Sequence, residues 1–245
     1  MSVLSGKRSL RTAFKRILWN CGYEIRDRRF SAHPTALALQ LIARTYPDII
    51  VDVGANAGQY ASEILQFKPD ARIISFEPLA AAHATATAES RKYRNWTVRE
   101  RVAVGAETRK SRINVSKNSV SSSLLNMTEV HLRAEPLSQF IGVEEVAIQP
   151  LDALLIDVPR SKRLYLKIDT QGYERQVLDG SSRLLSQVVA LQLELSFERL
   201  CDGQMLAWEL VQFVQQNGFK PFGFANGFRE IATGELLQMD GYFLR

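Results

Sequence analysis

The sequence has few cysteines and no long apolar run. Cys21 and Cys201 lie far apart, so they predict neither a disulfide framework nor a metal cluster, and we interpret them as reduced intracellular thiols. No apolar stretch approaches the roughly 20 residues of a membrane-spanning helix. The basic start does not lead into the apolar core of a signal peptide. These absences predict a cytoplasmic protein.

The net charge of +5 is concentrated at one end of the chain. Residues 1–30 carry a charge of +6, and the remaining residues sum to −1. The main body is therefore not a basic nucleic-acid surface, and we expect no nucleic-acid partner. Hydrophobic residues make up 46% of the sequence and charged residues 23%, which is ordinary for a globular protein.

Residues 1–47 are interpreted as a basic helical arm and residues 48–245 as the main domain. Helices are predicted over 7–19 and 34–45. Two interpretations of the first helix remain open: it packs on the core with its basic side solvated, or residues 1–30 touch an anionic membrane surface. The apolar face of that helix consists of Leu10, Phe14, Ile17 and Leu18.

From residue 48 onward, strand-like and helix-like segments alternate, which predicts a doubly wound, mostly parallel α/β sheet. Residues 105–162 break this alternation and contain a serine cluster at 119–123, so we expect a lid or substrate loop there. Strands are predicted over 48–53, 72–77, 97–104, 163–169, 188–196, 219–224 and 240–244. Helices are predicted over 58–67, 79–92, 173–185 and 205–217.

The glycine-rich turn after the first predicted strand indicates a nucleotide-like ligand. Residues 49–60 read IIVDVGANAGQY, an apolar β-branched run followed by a turn and a helix start. The turn lacks the G-x-G-x-x-G spacing of dinucleotide sites and the G-K-[ST] of phosphate loops. It therefore favours a cofactor without a pyrophosphate, of which S-adenosylmethionine is the commonest. The candidate residues are Asp52, Gly54, Ala55, Asn56 and Gly58.

An acid follows the second predicted strand. Glu77 lies 19 residues after Gly58, where its carboxylate can accept both hydroxyl groups of a ribose. An acid at about this distance also serves NAD sites. An NAD-dependent oxidoreductase and a non-catalytic cofactor-binding protein therefore remain alternatives.

Several short blocks, taken together and in order, resemble the FkbM family of methyltransferases. The resemblance runs from about residue 48 to the C-terminus. The blocks are VDVGANAG at 51–58, SFEP at 75–78, SSSLL at 121–125, LKIDTQGYE at 166–174, LQLELS at 191–196 and QMDGYFLR at 238–245.

The resemblance implies a class I, S-adenosylmethionine-dependent methyltransferase with a seven-stranded sheet whose final strand is antiparallel. Family members typically methylate hydroxyl groups, often on sugars of glycolipids, polysaccharides or macrolide-type natural products. The resemblance places the methionine end of the cofactor at the glycine turn. It also places the ribose at Glu77, the adenine by Ala103 and the methyl group by Asp169.

Asp169 is the leading candidate for a general base, because a neutral sugar hydroxyl is a poor nucleophile. It could instead orient a ligand without proton transfer. His131 is a second candidate, since histidine titrates near neutrality, although it could be a surface residue. Glu194 ends the fifth strand, at the edge where open sheets bind ligands. These three residues could hold a divalent ion, but they form no close-spaced ligand motif, so we expect no metal.

Overall fold

The computed structural model describes residues 12, 14–23 and 32–245 and divides the chain into two compact units, 1–31 and 32–245. In the first unit, residues 14–20 are helical, as the sequence predicts. Leu10 lies outside the described residues. The second unit includes helix α1 (Pro34–Thr45). The proposed boundary between arm and domain at residue 47 stays a prediction.

The second unit contains ten strands within residues 32–245. They are β1 (Ile49–Val53), β2 (Ile73–Phe76), β3 (Trp96–Val98), β4 (Ala103–Val104), β5 (Arg109–Ser116), β6 (Phe140–Gln149), β7 (Leu164–Ile168), β8 (Val188–Ser196), β9 (Lys220–Asn226) and β10 (Gln238–Leu244). Seven of them form a mixed sheet in the order β3-β2-β1-β7-β8-β10-β9. Strand β10 is antiparallel to both neighbours, and the pairs from β3 to β8 are parallel. The predicted fold class is confirmed.

Helices cover both faces of this sheet because alternate residues of the central strands point to opposite sides. Besides α1, the helices are α2 (Gln59–Phe67), α3 (Ala80–Ser90), α4 (Glu129–Ala134), α5 (Leu151–Leu154), α6 (Glu174–Asp179) and α7 (Ala207–Gln216). Ile50 and Tyr165 pack with α1 and α2, whereas Val51 and Leu166 belong to the core that contains α6 and α7. Among the described residues, no helix has the length and apolar character of a membrane span.

The register of the central strands brings three separate segments to one edge. Val53 is paired with Phe76 on β2 and with Ile168 on β7. The residues that follow these strand ends therefore lie side by side at the carboxyl edge. This edge is where open parallel sheets bind ligands.

The predicted strand 97–104 is wrong as a single element. The charged residues 99–101 interrupt it, so that β3 stays in the main sheet while β4 joins a second, three-stranded sheet with β5 and β6. Residues 105–162 are accordingly not a bare loop. Ile113 and Ile148 of the small sheet are buried against Leu79 and Ala82, which anchors the insertion beside the carboxyl edge.

Candidate active site

A cavity of about 350 Å³ lies at the carboxyl edge of the main sheet. Its size and position are typical of small-molecule sites. Of the residues predicted from the sequence, the lining includes Gly54, Ala55, Asn56, Glu77, Ala103 and Asp169. The lining does not include Asp52, Gly58, Glu194 or His131.

Gly54 lets the turn after β1 press against the end of β7. Its φ is +79°, and a Cβ built on it would lie 1.8 Å from the backbone oxygen of Asp169. Its backbone N–H donates to Phe76 on the other side, at 3.0 Å. A side chain at this position would therefore separate the two strand ends that carry the site.

Changing Gly54 to alanine is expected to destabilise the fold by more than the cost of a positive φ alone. Gly203 offers a matched control, because its φ is +71° and a Cβ there would meet nothing within 4 Å. Gly203→Ala should cost about 1–2 kcal/mol, and Gly54→Ala should cost more because of the clash. Chemical denaturation measures both free energies of unfolding. Equal losses of unfolding free energy in the two variants would show that the backbone of Asp169 leaves room for a side chain at position 54.

Gly58 lies where the start of α2 packs against a tryptophan ring. It precedes α2 with a φ of +88°, and a Cβ there would lie 2.4 Å from Cη2 of Trp96. Gly58 is therefore required where the helix start crosses the Trp96 ring. Its role as a cofactor contact stays a prediction.

Glu77 is held in place by the backbone on both sides. Its Oε2 accepts a hydrogen bond from the N–H of Asn56 and its Oε1 from the N–H of Leu79, each at 2.8 Å. Burial raises the pKa of Glu77 to about 7, although these two hydrogen bonds oppose the shift. A carboxylate has about four lone-pair sites, so both oxygens can accept further hydroxyl groups.

Asp52 is turned into the protein and does not reach the cavity. Its Oδ1 lies 3.0 Å from Nζ of Lys167, and its Oδ2 accepts a hydrogen bond from Ser75 at 3.2 Å. Trp96 donates in turn to the Ser75 hydroxyl at 3.0 Å. Asp52 is therefore the internal counter-ion of Lys167, and its role as a cofactor ligand stays a prediction.

Lys167 connects the buried hydrogen-bonded group of Asp52, Ser75 and Trp96 to the cavity. Lys167 was not predicted from the sequence as a site residue. Its Nζ lies 3.5 Å from Oδ2 of Asp169 and 3.4 Å from the backbone oxygen of Gly54. Burial acts to lower the pKa of Lys167, but the charges of Asp52 and Asp169 outweigh burial and hold that pKa above its ordinary value. The available signal was a lysine within the otherwise apolar strand LYLKI.

Asp169 is fixed from its other side by an amide. Gln171 Nε2 donates to Oδ1 of Asp169 at 3.1 Å and to Oε2 of Glu194 at 2.9 Å. Burial, followed by the charge of Asp169, raises the pKa of Glu194. The Asp169 side chain remains 39% exposed and lines the cavity. Glu194 is therefore connected to Asp169 through Gln171, and its catalytic role stays a prediction.

Two further side chains form hydrogen bonds with the backbone of the turn that contains Gln171. The buried Glu174 accepts hydrogen bonds from the backbone N–H groups of Thr170 and Gly172, at 3.0 and 3.2 Å. Ser123, from the insertion, donates to the Gln171 carbonyl oxygen at 2.7 Å. This serine of the predicted cluster thus connects the insertion to the site.

His131 is not brought to the cavity. It is 3% exposed, and its ring centroid lies 5.7 Å from that of Phe228 in an apolar cluster with Leu200. Burial lowers the pKa of His131. Within residues 12, 14–23 and 32–245, no group of three or more His, Cys, Asp or Glu side chains is arranged to hold a metal ion. Asp169 therefore remains the candidate base at the cavity.

Comparison with known families identifies the class of this site. The family model for the methyltransferase FkbM domain matches residues 52–221. The chain belongs to the FkbM methyltransferase family. It is an S-adenosylmethionine-dependent methyltransferase, and the oxidoreductase and non-catalytic alternatives are set aside.

This FkbM-family chain also resembles solved structures at low identity. A precorrin-6y C5,15-methyltransferase from Geobacter metallireducens GS-15 is 12% identical, with 86% of this chain and 87% of that chain covered and a TM-score of 0.46. Fibrillarin from Aeropyrum pernix, with natively bound S-adenosyl-L-methionine, is 9% identical, with 84% and 74% covered and a TM-score of 0.46. An rRNA methylase from Streptococcus thermophilus is 9% identical, with 87% and 96% covered and a TM-score of 0.43. No curated protein matches the FkbM-family chain.

The cavity of this FkbM-family chain fits the chemistry of S-adenosylmethionine. Leu79, Ala103 and Ile113 give it an apolar wall that would suit a flat purine. Glu77 presents a fixed carboxylate that would accept ribose hydroxyls. The turn around Asn56 would hold the polar methionine end, as the resemblance implies. These side chains supply an apolar surface, a hydroxyl acceptor and polar groups along one lining.

Proposed function

We propose that this methyltransferase transfers a methyl group to a hydroxyl oxygen, on a sugar of a glycolipid, polysaccharide or natural product. The observation that carries the proposal is the half-exposed Asp169 carboxylate, clamped between Lys167 and Gln171 at the cavity. A carboxylate held in this way is a suitable proton acceptor for an alcohol. The class of acceptor follows from the family resemblance.

In the proposed reaction, one side chain of the site transfers a proton and two others orient it. S-adenosylmethionine, when bound, supplies an electrophilic methyl group. Asp169 takes the proton of the acceptor hydroxyl, so that the oxygen acts as an alkoxide-like nucleophile. Lys167 and Gln171 hold the two oxygens of Asp169 in a fixed direction. Such positioning lowers the entropic part of the barrier.

Labelled methyl transfer into a cell extract tests this proposal. Extract is incubated with methyl-labelled S-adenosylmethionine and the intact protein, then separated into glycan, lipid, protein and RNA fractions. Label is expected in the glycan or lipid fraction. Label confined to RNA would contradict this proposal. It would also contradict the expectation that the chain has no nucleic-acid partner. Titration with S-adenosylhomocysteine and with NAD is the control for the cofactor, and tight binding of NAD alone would contradict the account.

We further propose that residues 1–30 contact anionic membrane surfaces, because they carry a charge of +6. Deleting residues 1–30 is expected to weaken binding to phosphatidylglycerol-containing vesicles and to leave S-adenosylhomocysteine affinity unchanged. Pure phosphatidylcholine vesicles and added salt are the controls, since salt screens exposed charges. Failure of the full chain to bind anionic vesicles at low salt would end this proposal.

A further inference from the structure

The cavity extends beyond its predicted cofactor half, toward strands β8 and β10. Strand pairing places Asp52, Lys167, Gln192 and Tyr242 in one row across the sheet. Asp240 is paired with Glu194 two positions nearer to the carboxyl edge. The cavity lining in this direction includes Gln192, Asp240 and, from helix α2, Tyr60.

Asp240 is a half-buried carboxylate that forms no hydrogen bond or ion pair with any side chain or backbone group in the described part of the chain. Burial, together with the charge of Asp169, raises the pKa of Asp240 to about 7, and Lys167 opposes the shift. Burying a carboxylate without a hydrogen-bond partner lowers the stability of the folded state. Nothing in the proton transfer assigned to Asp169 uses it.

Two further side chains of the lining have polar groups without a hydrogen-bond partner in the described residues. Gln192 accepts a hydrogen bond from the Tyr165 hydroxyl at its Oε1, 3.0 Å away, and its amide nitrogen has no acceptor among the described residues. The Tyr60 hydroxyl is buried near Tyr165 without a hydrogen bond of normal geometry. The cavity thus offers an acceptor, a donor and an aromatic face close to Asp169.

We propose that Asp240, Gln192 and Tyr60 form an acceptor subsite for a polyhydroxylated ring without an anionic group, an inference that rests on the proposed function. The Asp240 carboxylate accepts hydrogen bonds from ring hydroxyls, and the Gln192 amide donates to a ring oxygen. Tyr60, whose ring centroid lies 5.1 Å from Nζ of Lys167, supplies an aromatic wall next to the sugar.

The charges of the lining select against anionic acceptors. Lys167 is the one basic side chain that the described lining contains, and it is already paired with Asp52 and Asp169. Asp240 and Glu63 add negative charge to the same wall. A phosphate or carboxylate next to the reacting hydroxyl would therefore meet like charge. A neutral sugar would meet hydrogen-bond partners.

Saturation-transfer NMR on the full chain, loaded with S-adenosylhomocysteine, tests this subsite. The probes are the methyl glycosides of glucose, galactose and rhamnose, with methyl glucuronide as the anionic counterpart. The neutral glycosides are expected to receive saturation, and the glucuronide is not. Stronger transfer to the glucuronide than to every neutral glycoside, or no transfer to any neutral glycoside, would overturn the proposal.

Asp240→Leu and Gln192→Leu are each expected to weaken neutral-glycoside binding roughly tenfold or more, and Asp240→Asn by less. Asp70→Asn is the matched control, because Asp70 is exposed and precedes β2 at the opposite edge of the sheet. Affinity for S-adenosylhomocysteine should stay within about twofold of the wild type in every variant, which shows that each is folded. Unchanged glycoside binding in the variants would overturn the subsite. Failure of the wild type to bind S-adenosylhomocysteine would instead contradict the proposed function.

Discussion

Replacing Lys167 with methionine is expected to lower the free energy of unfolding by about 3–5 kcal/mol. The reason is the fully buried Asp52, whose carboxylate would lose the ammonium group 3.0 Å away and keep only the Ser75 hydroxyl. A buried charge without its counter-ion is among the most destabilising changes in a protein. Urea denaturation followed by circular dichroism measures the loss.

The chain offers a matched control for this prediction. Lys162 pairs with Asp48 at a similar distance, 3.1 Å, but both side chains are more than a third exposed. Lys162→Met should therefore cost less than about 1 kcal/mol. The double variant Lys167→Met with Asp52→Leu should recover much of the stability, since it removes both charges. Similar losses for Lys167→Met and Lys162→Met would contradict the buried network.

Asp169→Asn is expected to lower the rate of methyl transfer by roughly 10²–10⁴-fold while leaving S-adenosylhomocysteine affinity nearly unchanged. The amide cannot take the proton of the acceptor hydroxyl, although it preserves the shape of the side chain. Initial rates of label transfer and isothermal titration measure the two effects. Transfer at the wild-type rate would remove Asp169 from the reaction.

Asp202→Asn provides the control for the Asp169 variant. Asp202 is exposed, and its position does not contribute to the cavity lining. Its substitution should change neither the transfer rate nor the affinity. A parallel loss in both affinity and rate for Asp169→Asn would instead indicate that Asp169 holds the cofactor without proton transfer.

Local patterns in the sequence were sufficient to predict the central sheet and the turn after its first strand. The run IIVDV and Gly54 predicted a buried strand followed by a glycine turn, and both are present. Glu77 and Asp169 were placed at strand ends, and parallel register brings such ends together. These predictions worked because they depend on neighbouring residues and on a sheet topology with few alternatives.

Contacts between distant segments could not be predicted in the same way. Lys167 is a charged residue in an otherwise apolar strand, but its partner Asp52 lies 115 positions away, so neighbouring residues could not reveal the pair. His131 was chosen for its chemistry, but the packing of Phe228 beside it depends on tertiary structure. The small sheet was missed because half-exposed strands such as β5 carry charged residues on their outer side.

The atom that receives the methyl group is the most direct test of the whole account. Cells that express the intact protein are supplied with trideuteromethyl-labelled methionine, and their glycans and glycolipids are hydrolysed to monosaccharides for mass spectrometry. We expect a monosaccharide with the label in an ether on one of its hydroxyl oxygens, and we expect this product to be absent when Asp169→Asn replaces the wild type. Label found on a nitrogen or carbon atom, or on a nucleotide, would contradict it.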